Sequence, residues 1–347
     1  MNFIKYISIC TVCLFSITNL SAQKQVAFVQ NEKEQKIDVM IDGKFFTSYL
    51  YSNKIDKPVL FPLITATGTT VTRGFPLATR ANERTDHPHH IGMWFNYGDV
   101  NGLDFWNNSD AIKAEEKSKY GSIRHEKIVA VKPGKRNGEL EVSSNWVDFS
   151  GKILLKETTI LQFSGDDNIR TIDRTTTLTA QNEKVTFKDN KEGVLGIRVA
   201  RELEMPSQKA EIFTDAQGLA TKVAVLNNEG VTGNFLSSEG ITGNDVWGTR
   251  GNWCTVYGQK NGKDIAISII DHPKNPGYPT YWHARGYGLF AANTLGQEVL
   301  SGGKEKLDFS LDAGKSVIFK YRVLVTDSYT PSKETLNISA ESFAKKS

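Results

Sequence analysis

Cysteine is scarce in this chain of 347 residues, which contains three: Cys10, Cys13 and Cys254. The first two lie in an N-terminal segment that we expect to be removed. The mature chain would then keep a single thiol and could not form an internal disulfide. A domain of this size buries enough surface on folding to need none. Cys254 lies in an apolar run and is predicted to be a small buried residue.

An excess of one sign of charge is also missing. The 42 Lys and Arg residues and 39 Asp and Glu residues leave a formal charge of +3, spread along the chain without blocks. A nucleic-acid-binding protein normally shows a basic stripe or a recognisable module, and neither is visible here. With 39% hydrophobic residues, the composition excludes a disordered chain. We therefore expect a globular protein with no nucleic-acid partner.

Residues 1–22 have the pattern of a signal peptide. Lys5 provides a positive charge, residues 7–20 form a short apolar stretch, and small residues precede Gln23. Because a spanning helix needs about 20 apolar residues, we expect no stable membrane insertion. The sequence predicts an exported protein, periplasmic or secreted after cleavage.

Alternation of polar and apolar residues dominates the rest of the chain and indicates half-buried strands. Strands are predicted at residues 152–163, 170–180, 253–258, 264–270 and 316–326. Asn261-Gly262 and the segment 136–139 are typical of hairpin turns. Residues 332–346 read as a helix capped by Ser332. With no Pro- or Gly-rich linker, we predict an all-β fold: one large antiparallel β-sandwich domain over residues 23–347, ending in a short helix.

Five of the six histidines of the mature chain lie in two short segments, 86–106 and 271–288. The first combines three histidines with two tryptophans and three aspartates. This mixture suits a carbohydrate cleft, in which aromatic faces stack on sugars while Asp and Asn bind hydroxyls. Prolines and glycines predict that the second segment is a long ordered loop entering a strand. The substrate-binding candidates are Trp94, Asn101, Asp104, Trp106, Asn275 and Tyr287.

Metal binding is one chemistry open to these residues. His87, His89 and His90 could supply two ligands, and His283 or an aspartate a third. However, the chain has no helical His-x-x-x-His pattern, and Pro88 disturbs the strand spacing that would align His87 with His89. We therefore predict no metal ligands and no cofactor, with a divalent metal as the alternative.

Proton abstraction beside a sugar carboxylate, followed by β-elimination, is a second chemistry. It needs a base, an acid for the leaving oxygen and a group that stabilises the developing charge. In a strand, Tyr281, His283, Arg285 and Tyr287 would project from one face, and arginine suits bidentate carboxylate binding. Ordinary cross-strand pairing is the alternative explanation. The catalytic candidates are His89, His90, Tyr281, His283 and Arg285.

Glycoside hydrolysis by paired carboxylates is a third chemistry. Asp99 and Asp104 are the nearest candidates, but the separation of the carboxyl groups decides such a mechanism and cannot be read from the sequence. Asp99 follows Gly98 and is more typical of a turn. Asp104 lies between Leu103 and Phe105, which favours a buried, paired acid that could orient a histidine.

The histidine segments resemble a bacterial family of exported proteins named "methane oxygenase PmoA-like" or described as a domain of unknown function. Residues 86–95 and 100–106 match its first signature, and residues 281–290, continuing to Asn293, match its second. Methane oxidation is doubtful, because the membrane subunit has several spanning helices and the mature chain has none. The family is similar in size and strand content to galactose-mutarotase-like supersandwich enzymes, which include sugar epimerases and polysaccharide lyases. The lyases typically use His, Tyr and Arg for elimination.

The residue pattern and the resemblance together predict a carbohydrate-active lyase or dehydratase. It would carry out β-elimination on oligosaccharides that contain uronic acid, during polysaccharide degradation. A sugar epimerase or glycoside hydrolase using the same cleft is the alternative, as is a glycan-binding protein without catalysis.

Overall fold

The structure is a computed structural model and describes residues 25–346. The expected signal peptide, residues 1–22, lies outside the described residues. Within residues 25–346, no helix combines the length and apolar character needed to cross a membrane.

Alternating apolar residues build two large sheets in which neighbouring strands are antiparallel. Strands are numbered in chain order. The first sheet has nine strands, in the spatial order β16 (Tyr281–Arg285), β17 (Leu289–Asn293), β12 (Gly193–Arg198), β5 (Met93–Tyr97), β4 (Val59–Leu60), β3 (Lys44–Leu50), β2 (Lys36–Ile41), β1 (Gln25–Asn31) and β7 (Gly134–Lys135). The second has eight strands, in the order β13 (Asn234–Ser237), β14 (Trp253–Lys260), β15 (Lys263–Asp271), β19 (Ser316–Asp327), β10 (Ile169–Ala180), β9 (Ile153–Gly165), β8 (Asn137–Val147) and β6 (Ser122–Lys132).

Smaller elements complete the fold. Strands β11 (Val185–Phe187) and β18 (Phe309–Leu311) form a two-stranded sheet. The α-helices are α1 (Gln297–Leu300) and α2 (Lys333–Ala344), and the 3₁₀ turns are Ala114–Lys119, Arg201–Leu203 and Gly243–Val246.

The main hydrophobic core fills the space between the two large sheets. Phe95 of the nine-stranded sheet shows how they meet: its ring lies 6.4 Å from that of Trp146 and 5.6 Å from that of Phe319, which both belong to the other sheet. Such interlocking of the inner faces is what holds a β-sandwich together. The predicted all-β antiparallel sandwich is confirmed, while its boundaries at residues 23 and 347 stay a prediction.

Two local predictions from the sequence, a hairpin turn and a helix cap, are confirmed by the structure. Asn261 and Gly262 join β14 to β15 with φ of 54° and 73°, the positive values that a type I′ turn requires. Ser332 caps α2 by accepting a hydrogen bond from the Thr335 amide at 3.2 Å. The apolar face of α2 packs on the outer side of the eight-stranded sheet, against Trp253 and Ile270.

The outer face of the nine-stranded sheet positions the residues of interest. Residues of β5, β12, β17 and β16 alternate between the core and this face because side chains have a period of two. One cross-strand row on the outer face runs Trp94, Gly196, Ala291 and His283. A second hydrophobic cluster, which includes Trp94, Trp106 and Ala291, covers part of this face.

Candidate active site

Four nearly parallel rings form the centre of the site, and we call them the ring stack: Tyr287, His87, His90 and Trp94. The ring centroids of Tyr287 and His87 lie 4.9 Å apart at 5°, and those of His87 and His90 lie 4.8 Å apart at 4°. The rings of His90 and Trp94 follow at 5.2 Å and 15°. Stacking of this kind adds to the free energy of burial and fixes ring orientation.

A glycine in β12 makes room for the base of the ring stack. A Cβ on Gly196 would lie 2.6 Å from Cζ2 of Trp94 and 3.0 Å from Cη2 of Trp106. The side chains of Trp94 and Trp106 have no exposed surface. These two predicted substrate-binding residues therefore pack between the sheet and His90. Neither has an exposed ring face on which a sugar could stack directly.

His90 is held in one orientation by a hydrogen bond to one of its ring nitrogens. The Trp106 indole Nε1 donates to Nε2 of His90 at 3.2 Å, and Nη1 of Arg198 lies 3.5 Å from its Nδ1. Burial, with the neighbouring His89 and Arg198, lowers the pKa of His90 well below its ordinary value. With 2% of its surface exposed, this predicted catalytic residue is a neutral support for His87.

Asp86 is the carboxylate that holds a histidine in this site. Its Oδ2 lies 2.5 Å from Nδ1 of His87, while Arg198 donates to both of its oxygens at 2.7 and 3.1 Å. Arg73 donates a further hydrogen bond at 3.0 Å. Burial alone would raise the pKa of Asp86, but Arg198, His87 and Arg73 outweigh it and hold that pKa below its ordinary value.

The ionised Asp86 decides which nitrogen of His87 carries the proton. A carboxylate only accepts hydrogen bonds, so Nδ1 of His87 donates, and in the neutral imidazole the lone pair is then on Nε2. The His87 side chain is 41% exposed, so the imidazole can meet a ligand. Neither Asp86 nor His87 was among the catalytic candidates, although the adjacent Asp-His pair in the sequence was a signal for them.

His283 lies on the outer face of β16, as predicted. Its Nδ1 is 3.7 Å from Oε2 of Glu192 and makes no hydrogen bond among the described residues. Burial, followed by the nearby charges of Arg285 and Lys191, lowers the pKa of His283 to about 3. The ring is therefore neutral at neutral pH, but it is 2% exposed.

Arg285 is a half-buried cation without an anionic partner. Its guanidinium lies 4.7 Å from the centroid of the Trp247 ring, and it makes no hydrogen bond or ion pair within residues 25–346. Burial raises the pKa of the neighbouring Tyr287 to about 12, so its phenol keeps its proton. The Arg285 guanidinium is thus free to bind an anion.

The predicted row of four side chains on one strand face is partly wrong. Tyr281, His283 and Arg285 do share a face, but β16 ends at Arg285 and Tyr287 lies in the turn that leads to β17. Tyr287 reaches the ring stack from that turn. The Tyr281 ring packs under the Arg250 guanidinium at 5.1 Å and makes no ring contact with the histidines.

Asp104 orients a tryptophan backbone, so the prediction that it orients a histidine is wrong. Its Oδ1 accepts hydrogen bonds from the amides of Trp106 and Asn107, both at 2.9 Å, in a local turn. Asp99 likewise accepts from the Gly102 amide at 2.9 Å, as expected of a turn residue. The carboxylates considered for hydrolysis are therefore both engaged in loop structure.

The two predicted asparagines lie in structural positions. Asn101, with φ of 52°, donates to the Lys184 carbonyl at 3.1 Å and accepts from the Thr186 amide. Asn275 is buried and bonds with Asp271 and with both backbone groups of Lys320, each at 2.7 Å. The first half of the second histidine segment therefore packs on the eight-stranded sheet, while its second half forms the site.

His89 connects the ring stack to a cavity of about 320 Å³. Its ring centroid lies 4.3 Å from that of His90 and 5.6 Å from that of His87. Burial and the adjacent Lys57 lower the pKa of His89 to about 2. Buried Lys57 donates to the His89 carbonyl at 2.9 Å and also lines the cavity.

The histidines do not form a metal-ligand set. Across residues 25–346, no group of three His, Cys, Asp or Glu side chains is arranged to hold a metal ion.

Comparison with known families identifies the family of this chain. A family model described as "Family of unknown function (DUF6807)" matches residues 36–341. The chain belongs to this family. The match does not bear the methane oxygenase name that the sequence resemblance suggested. No curated protein matches the chain significantly.

Several solved structures align with most of this chain at low sequence identity. The galactosidase domain of an alpha-galactosidase-sucrose kinase matches with a TM-score of 0.41 and 8% identity, over 87% of this chain and 42% of that one. A galactose mutarotase-like protein from Clostridium acetobutylicum matches with a TM-score of 0.34 and 10% identity, over 88% and 99%. A protein from Synechocystis sp. PCC 6803 matches with a TM-score of 0.32 and 9% identity, over 91% and 100%. No reaction or substrate is inferred from similarity at this level.

Proposed function

We propose that this protein is an exported carbohydrate-active lyase that carries out β-elimination on oligosaccharides containing uronic acid. The observation that carries the proposal is the exposed imidazole of His87, held by Asp86, together with the unpaired guanidinium of Arg285. Both groups lie close enough to His283 to influence its pKa. A base with a fixed tautomer and a free cation are two of the groups that this reaction needs.

The anion-binding role falls to Arg285. Its contact with Trp247 leaves the guanidinium edge free to form paired hydrogen bonds with a carboxylate. A uronic acid carries a carboxylate next to the carbon that loses its proton, so a cation there also stabilises the negative charge that develops on the carboxylate. A neutral sugar would leave Arg285 without a partner.

Elimination would then proceed with two proton transfers. Nε2 of His87 takes the proton on the carbon next to the carboxylate. The electron pair of that C–H bond forms a carbon–carbon double bond, and the bond to the leaving sugar oxygen breaks. Tyr287, whose phenol is protonated, gives a proton to that oxygen. Exchange with water returns His87 and Tyr287 to their starting states, so no oxidant or reductant is needed.

Buried charged residues fix the orientation of His87, the proposed base. Arg198 lies between Asp86 and Glu204, whose Oε1 is 3.8 Å away, and Arg84 holds Glu204 from the other side at 2.7 Å. Arg198 and Glu204 are almost completely buried. Such a network restricts the movement of Asp86 and therefore of the His87 ring, as precise positioning in catalysis requires.

Ultraviolet absorbance tests the proposal. The mature protein is mixed with a panel of uronic-acid oligosaccharides, and the growth of a conjugated double bond is followed with and without a chelator. We expect absorbance to rise with uronates and not with the same oligosaccharides after reduction of the carboxyl groups. A flat trace across the panel, with epimerised or hydrolysed products found by mass and sugar analysis, would overturn the lyase assignment.

A further inference from the structure

Beyond the residues that act on the substrate, two cavities lie end to end. The first is the cavity of about 320 Å³ that His89 lines, and the second has a volume of about 490 Å³. Both volumes fall within the range of about 300–1,000 Å³ typical of ligand pockets. Asp56 and Asn108 line both cavities, so the cavities adjoin each other at these two residues.

The two shared residues are held by hydrogen bonds. Arg124 and Ser122 donate hydrogen bonds to Oδ1 of Asp56 at 3.1 and 3.2 Å. Asn108 donates to the Gly121 carbonyl at 2.9 Å, and Lys117 donates to the Asn108 side-chain oxygen at 2.8 Å. A ligand that lies across these two residues would meet polar groups that are already in place, which reduces the entropy lost on binding.

An exposed aromatic ring lies at the far end of the second cavity. Phe149, in the turn between β8 and β9, is 66% exposed, and Tyr120 lines the same cavity. Phe149 is thus open to solvent on the surface of this cavity. Its flat face suits the C–H surface of a sugar ring, while Asp148 beside it can accept hydroxyl hydrogen bonds.

Charge in the second cavity favours a neutral sugar. Lys117 and Arg124 are directed at Asp56 and Asn108, so neither cation is left without a partner. This differs from Arg285 in the catalytic region, which has no anion within the described residues. The end of the site at Arg285 therefore suits an anionic sugar unit, and the second cavity suits a neutral one.

We propose that these two cavities continue the active site as an extended cleft, in which a neutral sugar unit of the same oligosaccharide stacks on Phe149 while the uronate unit lies at His87 and Arg285. This inference rests on the proposed function for its ligand class. It adds that the protein prefers long oligosaccharides and that Phe149 is the distal binding residue.

Length dependence of binding tests the cleft. Calorimetry would give affinities for uronic-acid oligosaccharides of two to six units, using catalytically inactive His87→Asn protein so that the ligands stay intact. We expect the hexasaccharide to bind at least tenfold more tightly than the disaccharide. Phe149→Ala, placed in the same background, should reduce that ratio to near one.

A matched control is Ile338→Ala, which removes an apolar side chain of similar exposure, 60%, from α2. It should leave the ratio unchanged. Equal affinity at all lengths, no binding at all, or a ratio unaffected by Phe149→Ala would overturn the extended cleft. The proposed function is tested separately, by turnover of the native protein. Elimination without length-dependent binding would support the lyase and reject the extended cleft. Length-dependent binding without elimination would support the extended cleft and reject the lyase.

Discussion

The carboxylate of Asp86 joins His87 to Arg198, two residues that lie 111 positions apart in the chain. One oxygen lies 2.5 Å from the His87 imidazole, and the other accepts from the Arg198 guanidinium at 2.7 Å. The loop that bears the histidines is thereby tied to the end of β12. This contact gives an exposed imidazole a defined tautomer, and the proposed chemistry depends on it.

Replacement of the base should abolish elimination without unfolding the protein. His87 has φ of 46°, and asparagine tolerates this left-handed conformation, so His87→Asn is the appropriate variant. We expect kcat to fall by about 100-fold or more, within the range that general base catalysis contributes. His125→Asn, which changes a histidine packed on Tyr51 away from the site, is the control and should retain activity. Equal kcat in His87→Asn and the native protein would show that His87 is not the base.

Loss of the carboxylate-binding cation should affect substrates selectively. Arg285→Gln should raise KM for uronate oligosaccharides by about tenfold or more, because it removes a charge-assisted bidentate contact. Carboxyl-reduced oligosaccharides, measured as inhibitors, should bind the variant and the native protein equally well. A similar loss for both ligand classes would show that Arg285 acts on the fold or on another part of the sugar.

Acid should destabilise the folded state through its buried histidines. Burial lowers the pKa of His89 to about 2 and of His283 to about 3, whereas an unfolded chain has values of about 6.5. At these two histidines the unfolded state therefore binds more protons below about pH 6.5, so their contribution to the free energy of unfolding falls as the pH falls. Each histidine contributes up to about 1.4 kcal/mol per pH unit.

Urea unfolding at pH 7, 6 and 5 measures this dependence. The stability of the native protein should decline over that range, and His283→Asn should show a shallower decline because one titrating group is gone. The same pH dependence in His283→Asn and in the native protein would contradict the neutral, buried state of His283.

The glycine beneath the ring stack should resist substitution. Gly196→Ala places a methyl group 2.6 Å from the Trp94 ring, so the indole must move or the strands must separate. Overpacking of this kind costs about 1–3 kcal/mol. Near-ultraviolet circular dichroism should report the displaced tryptophan, and kcat should fall as the histidines lose their support. An unchanged spectrum together with full stability would show that the packing is looser than the structure indicates.

Local chemistry explains what could be predicted from the sequence. The Asn261-Gly262 hairpin, the capped C-terminal helix and the alternating strands depend on neighbouring residues, and all three are confirmed. The density of histidines also located the candidate site. His283 and Arg285 share a strand face because the side-chain period is two.

Contacts between distant segments explain what the sequence could not show. Arg198 reaches Asp86 only because β12 lies beside β5 and the loop before β5 folds over the outer face of the sheet. The lining of the second cavity likewise combines residues near position 120 with the turn at Phe149. The apolar neighbours of Asp104 indicate burial, and this is why the sequence predicts that Asp104 orients a histidine. Asp86, which does contact a histidine, has no apolar neighbours in the sequence to indicate burial.

A deuterium isotope effect tests the central claim most directly, namely that His87 removes a proton from a sugar carbon. A uronate oligosaccharide carrying deuterium on the carbon next to the carboxylate would be compared with its hydrogen counterpart in single-turnover reactions of the native protein and of His87→Asn. The account predicts a slower native reaction with the deuterated substrate and turnover by His87→Asn that is slower by about 100-fold or more. Equal rates for the two substrates, together with undiminished turnover by the variant, would contradict it.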